Sequence, residues 1–166
     1  MKRTLLLLTA IIISSCGSQK TIATDQLDRT IDNWHLAAAT ASYDDYFNLM
    51  TSDAVFIGTD ATENWQLQEF KAFSKPYFDK GKAWSFTSLE RHIYKHNRVI
   101  YFDELLDTQM GICRGSGVLK KEDGVYKIAH YVLSIAVPNE NVASLTELKK
   151  LWDDNYKKEL ALKKVP

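Results

Sequence analysis

The sequence predicts an α+β fold: N-terminal helices packed on the concave face of a curved antiparallel four- to five-stranded sheet, a cone-like α+β barrel, with an additional C-terminal helix. Three observations predict it. Apolar residues recur at helical spacing early in the chain and again near its end. Between them lie four β-prone runs, roughly Ala83–His96, Arg98–Thr108, Ile112–Lys121 and Tyr126–Val137. The runs are joined by His96-Asn97, Gln109-Met110-Gly111 and Glu122-Asp123-Gly124, which have the length and chemistry of hairpin turns.

The N-terminus reads as an export signal. Lys2 and Arg3 precede a nearly pure apolar run, Leu5 to Ile13. A run this short does not span a bilayer, which takes about 20 residues, but it suits the h-region of a signal peptide. Ile13-Ser14-Ser15-Cys16 resembles a lipobox, so residues 1–15 are expected to be removed and Cys16 to carry two or three acyl chains. The expected location is the bacterial cell envelope, lipid-anchored at the outer membrane. Residues 16–24 read as a tether, 25–140 as the folded domain and 141–166 as the C-terminal helix. Loss of Lys2 and Arg3 leaves 19 basic against 21 acidic residues, a balance with no electrostatic footprint for nucleic acid. Cys113 alone remains, so no internal disulfide is expected, and no Cys/His spacing suggests a metal or cofactor.

The elements follow in order. Thr24 or Asp25 caps a first helix along which Leu27, Ile31, Trp34, Leu36 and Ala38 follow helical spacing. Tyr43 to Met50 reads as a short second helix, and Ala54 to Gly58 as a strand ending in the turn-like Gly58-Thr59-Asp60. Trp65 to Phe78 reads as a third helix, capped by Asp60 or Thr62, with Glu63 in its first turn and Pro76 weakening its last. The four-stranded meander ends at Pro138. A final helix from about Ser144 to Lys164 opens on the capping box Ser144-x-x-Glu147 and carries the stripe Leu145, Leu148, Trp152, Tyr156 and Leu160.

Hairpin arithmetic sorts the sheet into two faces. Centring the turns as above sets Asp103 opposite Gly117, Gly117 opposite Ala129 and His92 opposite Tyr101; cross-strand neighbours share a face. One face then holds His92, Tyr94, Tyr101, Asp103, Gly115, Gly117, Ala129 and Tyr131. Its aromatic walls and small residues beside one carboxylate describe a concave, mostly apolar pocket. The other face holds Arg91, Glu104, Arg114, Ser116 and His130 and suits a surface or a homodimer interface.

Gly58-Thr59-Asp60-Ala61-Thr62-Glu63-Asn64-Trp65, Arg114-Gly115-Ser116-Gly117-Val118-Leu119, Gly124 through Tyr131 and Ser134 through Asn139 together resemble the SnoaL-like group of the nuclear transport factor 2-like superfamily. The resemblance covers about residues 25–140, with Tyr126 where members often carry Trp. It implies a cone whose mouth lies between helices and sheet, and frequent dimers through the outer sheet face. It implies no particular activity, because the group spans isomerases, dehydratases, cyclases, binders and assembly modules.

The expected ligand-binding residues are His92, Tyr94, Tyr101, Asp103, Gly117, Tyr131, Trp65 and Trp34, around a small, largely apolar molecule. Asp103, desolvated in such a cavity, would be a usable base, with Tyr101, Tyr131 or His92 donating a hydrogen bond. The structural alternative pairs Asp103 with His92 or a backbone amide, and Trp34 reads as core in preference to pocket. Three functions follow: a binder, an isomerase-, dehydratase- or cyclase-type enzyme with Asp103 as general base, or a dimeric assembly module. A Ser116-His130-Glu104 triad on the other face lacks a nucleophile elbow and an oxyanion hole.

Overall fold

The structure is a computed structural model that describes residues 24–163; the signal segment and Cys16 lie outside the described residues. Helix α1 (Thr24–Ala39) and the short α2 (Tyr43–Asn48) lead into strand β1 (Met50–Ile57). A loop returns the chain as β2 (Asn64–Gln66), which runs into α3 (Leu67–Asp79). The meander is β3 (Thr87–His96), β4 (Val99–Thr108), β5 (Gly111–Glu122) and β6 (Val125–Ile135). A single 3-10 turn, Asn139–Asn141, precedes α4 (Val142–Lys163). The sheet has six strands in the order β2-β1-β6-β5-β4-β3, and β1 joins it parallel to β6 while the other pairs are antiparallel.

Two local expectations change. Trp65 lies in strand β2, opposite Phe56, and not at a helix start. Helix α3 begins only at Leu67, where Gln66 and Glu69 form a reciprocal capping box that satisfies two helix-end N–H groups. Ser144 lies inside α4, two residues past its start, so it caps nothing.

The β4–β5 connection changes the parity of half the sheet. Thr108 pairs with Gly111, so the turn is the two residues Gln109-Met110 and not three. Gly111 takes φ of +80°, a conformation that suits a residue without Cβ. The register therefore sets Phe102, not Asp103, opposite Gly117. A one-residue slip of this kind exchanges the faces of a strand. A second irregularity lies in β5–β6: Val118 pairs with His130 but Leu119 with Ile128, leaving Ala129 as the extra residue.

Helix α1 lies across the concave face, burying Leu27, Ile31, Trp34, His35 and Ala38 against the sheet. Trp34 stacks on Tyr46 at 5.0 Å and meets Tyr131 edge-on at 4.8 Å. Phe56 stacks on Phe70 of α3 at 4.1 Å, closing the cone from the other side. Full burial of each such ring contributes about 1.5–3 kcal/mol, and edge and offset ring geometries add about 0.5–1.5 kcal/mol per pair.

Candidate functional site

The concave face of β4 reads Ile100, Phe102, Glu104, Leu106, all buried. Glu104 is the charged member of that row, at 1% exposure. Its carboxylate is surrounded by donors. On Oε1 it accepts from His35 Nε2 of α1 at 2.8 Å and from the Tyr131 hydroxyl of β6 at 2.8 Å. On Oε2 it accepts from Nε of Arg91, its cross-strand partner on β3, at 2.9 Å; Arg91 Nη2 makes an ion-pair contact at 2.9 Å but no hydrogen bond. Because a carboxylate only accepts, His35 carries its proton on Nε2; its Nδ1 is buried without a hydrogen-bond partner. Arg91 in turn reaches Asp32 at 2.8 Å and Asp28 at 3.3 Å on α1, tying the helix to the sheet.

The sequence makes room for this cluster at Gly115. A Cβ there would stand 2.0 Å from the Tyr131 hydroxyl. Burial pushes the Glu104 carboxyl up, but the His35 hydrogen bond, the charges of His35 and Arg91 and the Tyr131 hydroxyl more than offset it. The carboxyl is therefore held below its ordinary value of 4.5. Tyr131 is driven well above the usual phenol range, chiefly by burial and then by the adjacent Glu104. Both Glu104 oxygens are met in good geometry, while His35 Nδ1 and Arg91 Nη2 stay buried without a hydrogen-bond partner, so the cluster is costly to break more than it is a net source of stability.

The expected carboxylate is elsewhere. Asp103 lies on the convex face, its side chain 32% exposed, 3.3 Å from His92 Nδ1. Tyr94 and Tyr101 are also on that face, exposed and stacked at 5.1 Å. The physical reason is the shorter β4–β5 turn. Gly117 does face inward, but its empty volume is taken: a Cβ would lie 2.7 Å from the Phe102 ring and 2.7 Å from the His130 carbonyl. Trp34 is core, at 0% exposure. Tyr131 is also buried, bound to Glu104. Of the expected set, Trp65 borders an open cavity at the cone mouth. The outer-face group splits likewise: Arg91 and Glu104 point inward, while Arg114 and His130 lie across from Ser134 and Val118 on the convex side.

The cavity bordered by Trp65 opens at the mouth of the cone. It has a volume of about 120 Å³ and is walled by Phe56, Trp65, Phe70, Phe73, Trp84 and Phe86, with Met110, Leu133 and Glu63 at its margins. Trp65 and Phe73 stack at 4.2 Å, and Phe70 and Trp84 at 5.9 Å. Phe86 stands between this cleft and the charge cluster, edge-on to His35 at 5.6 Å. The β1–β2 loop shapes the margin: the Gly58 N–H donates to the Glu63 carbonyl at 3.0 Å, and the Asp60 N–H donates to Glu63 Oε2 at 3.1 Å. A Cβ at Gly58 would sit 2.1 Å from Glu63 Oε2, so the carboxylate would have to move aside.

Behind the same loop, α4 and the convex face enclose a groove of about 650 Å³, bordered by Thr59, Asp60, Glu63, Val132, Trp152 and Asp153 among others. The Tyr156 hydroxyl donates to the Ala61 carbonyl at 3.3 Å and braces the loop from this side. Helix α4 buries none of its residues, and Leu148 is 83% exposed. Among the described residues no helix is long and apolar enough to cross a membrane.

A family model described as a SnoaL-like domain matches residues 27–138. Solved structures share the fold at low identity. An NTF2-like protein from Cytophaga hutchinsonii is 15% identical, with 69% of this chain and 98% of that one covered at a TM-score of 0.58. An NTF2-like protein of unknown function from Pseudomonas putida is 11% identical, covering 70% and 89%, TM-score 0.58. A candidate dehydratase of the NTF2-like family from Streptomyces avermitilis is 9% identical, covering 69% and 96%, TM-score 0.60. No protein of curated function matches.

Proposed function

The chain belongs to the SnoaL-like domain family, and from that membership we propose that it is a lipid-anchored binding protein that takes one small, largely apolar group into the aromatic cleft. The observation that carries the reading is the cleft itself: six aromatic walls around about 120 Å³ at the cone mouth. An enclosed apolar cavity of roughly 150 Å³ takes up a benzene ring, so by size a single ring or a branched alkyl head matches this open cleft. Anchoring through Cys16 in the cell envelope belongs to the same proposal, supported by Lys2, Arg3, the apolar run and the small residues before the cysteine. Binding without chemistry is the better-supported role. The interior acid, Glu104, is saturated with donors and sealed behind Phe86, and Asp103 faces away from the cavity.

Toluene titrated into the full chain is the direct test. It should bind saturably and raise the melting temperature. Phe73→Ala, at a ring that is 39% exposed and contributes little to the core, should weaken that binding several-fold while the domain stays folded. Absence of saturable binding to the unaltered chain overturns the reading.

A further inference from the structure

Resting on the cleft reading above, we propose that the group recognised in the cleft is an organic cation, a quaternary or tertiary ammonium head about the size of tetramethylammonium. The walls supply the first reason. Ring faces carry the negative lobes of the aromatic quadrupole and attract a cation that sheds its water. Here six aromatic side chains line one small volume; Trp65, Phe73, Trp84 and Phe86 are the accessible ones, while Phe56 and Phe70 are buried and stacked on each other.

The second reason is charge. Glu63 is the one ionisable side chain bordering the cleft. It is half-buried, and its Oε2 accepts one backbone N–H. Unlike Glu104, it forms no ion pair among the described residues. The cleft therefore combines an aromatic lining with one half-buried carboxylate and no cation of its own; Lys149 shares the neighbouring groove with Glu63 but is paired with Asp153. A neutral apolar guest would leave that carboxylate uncompensated. An ammonium head with alkyl groups answers both features, since its methyl surface fills an apolar cavity and its diffuse charge needs no hydrogen bonds. A hard metal ion fits poorly, because it takes six or more oxygen ligands and the walls here are carbon.

The third reason is construction. The Glu63 carboxylate lies over Gly58, where a Cβ would force it to move, and the Tyr156 hydroxyl of α4 donates to the Ala61 carbonyl of the same loop. The carboxylate is placed by its surroundings and not loose at the surface.

Calorimetric titration of the full chain with choline and with 3,3-dimethyl-1-butanol, its uncharged carbon isostere, tests the assignment. Choline should bind at least about tenfold tighter, in line with a desolvated cation–π site. Glu63→Gln should remove most of that preference and leave the alcohol unchanged, and Gly58→Ala, which displaces the carboxylate, should act in the same direction. Equal or tighter binding of the alcohol overturns the cation assignment and leaves the apolar cleft standing. Binding of neither probe, nor of toluene, overturns both. An equal loss for both probes in Glu63→Gln would make Glu63 a support of the loop and also overturn the assignment.

Discussion

Glu104 lies buried on the concave face and Glu63 borders the cleft at the cone mouth, and the two carboxylates meet opposite surroundings. Glu104 lies at the centre of the concave face, at 1% exposure, with His35, Tyr131 and Arg91 filling both of its oxygens. Glu63 lies at the cone mouth, half-buried, with one backbone donor and no counter-charge. Satisfied buried charge pins α1 to the sheet; unsatisfied charge beside an open cavity is available to a ligand. The contrast also shows why a carboxylate inside an NTF2-like cone is not by itself a catalytic base: it must be reachable and have a proton to gain.

The largest effect should come from breaking the inner cluster. Glu104→Ala leaves Arg91 and His35 buried without their acid and is expected to cost about 3–5 kcal/mol in chemical denaturation, with Glu104→Gln as the shape-preserving companion if the alanine variant does not fold. A loss under about 1 kcal/mol would mean that the cluster is looser than the 2.8–2.9 Å contacts imply.

Acid should act through the same group. Burial raises the Glu104 carboxyl, but His35, Arg91 and Tyr131 hold it below its ordinary 4.5 in the folded state. The unfolded chain therefore binds the extra proton first. The contribution to stability is complete above the ordinary carboxylate range and is lost as pH falls through the lower folded value, with a slope of at most about 1.4 kcal/mol per pH unit from this one group. Denaturation midpoints from pH 7 down to 3 should show this component in the parent and lack it in Glu104→Gln. A parent and variant with parallel pH profiles would remove Glu104 from the account.

The smallest effect belongs to Glu63. Glu63→Gln should change stability by no more than about 0.5 kcal/mol, because it loses no ion pair and keeps an oxygen for the Asp60 N–H. A large stability loss there would erase the distinction between the two acids.

Much of the fold was legible and much of the site was not, for reasons visible in single residues. Helical spacing and hairpin chemistry located α1, α2 and the four long strands to within a few residues. Short β2 was hidden because Trp65 continues the apolar pattern of α3. The inner acid was misplaced because Gln109-Met110-Gly111 admits two turn lengths that differ by one residue, and parity follows from the choice. A signal against the longer turn was present: Ile100, Phe102 and Leu106 alternate with Tyr101, Asp103 and Asp107, so the apolar row marks the inner face and Glu104 falls within it. His35 follows Ile31 at helical spacing on the buried side of α1 and was the other available clue. Trp84 and Phe86 precede β3 in a connection whose path no periodicity reports, so their arrival beside Trp65 required coordinates. Trp65 was expected near the ligand but at a helix start, whereas it borders the cleft from strand β2.

Four tryptophans make the central claim directly measurable. Trp65 and Trp84 wall the cleft, Trp34 is buried in the core, and Trp152 lies on α4. In a two-dimensional NMR titration of the full chain with toluene, the indole N–H signals of Trp65 and Trp84 should move saturably while those of Trp34 and Trp152 stay in place. Four unmoved signals, or four that move alike, would contradict a ligand site at the mouth of the cone.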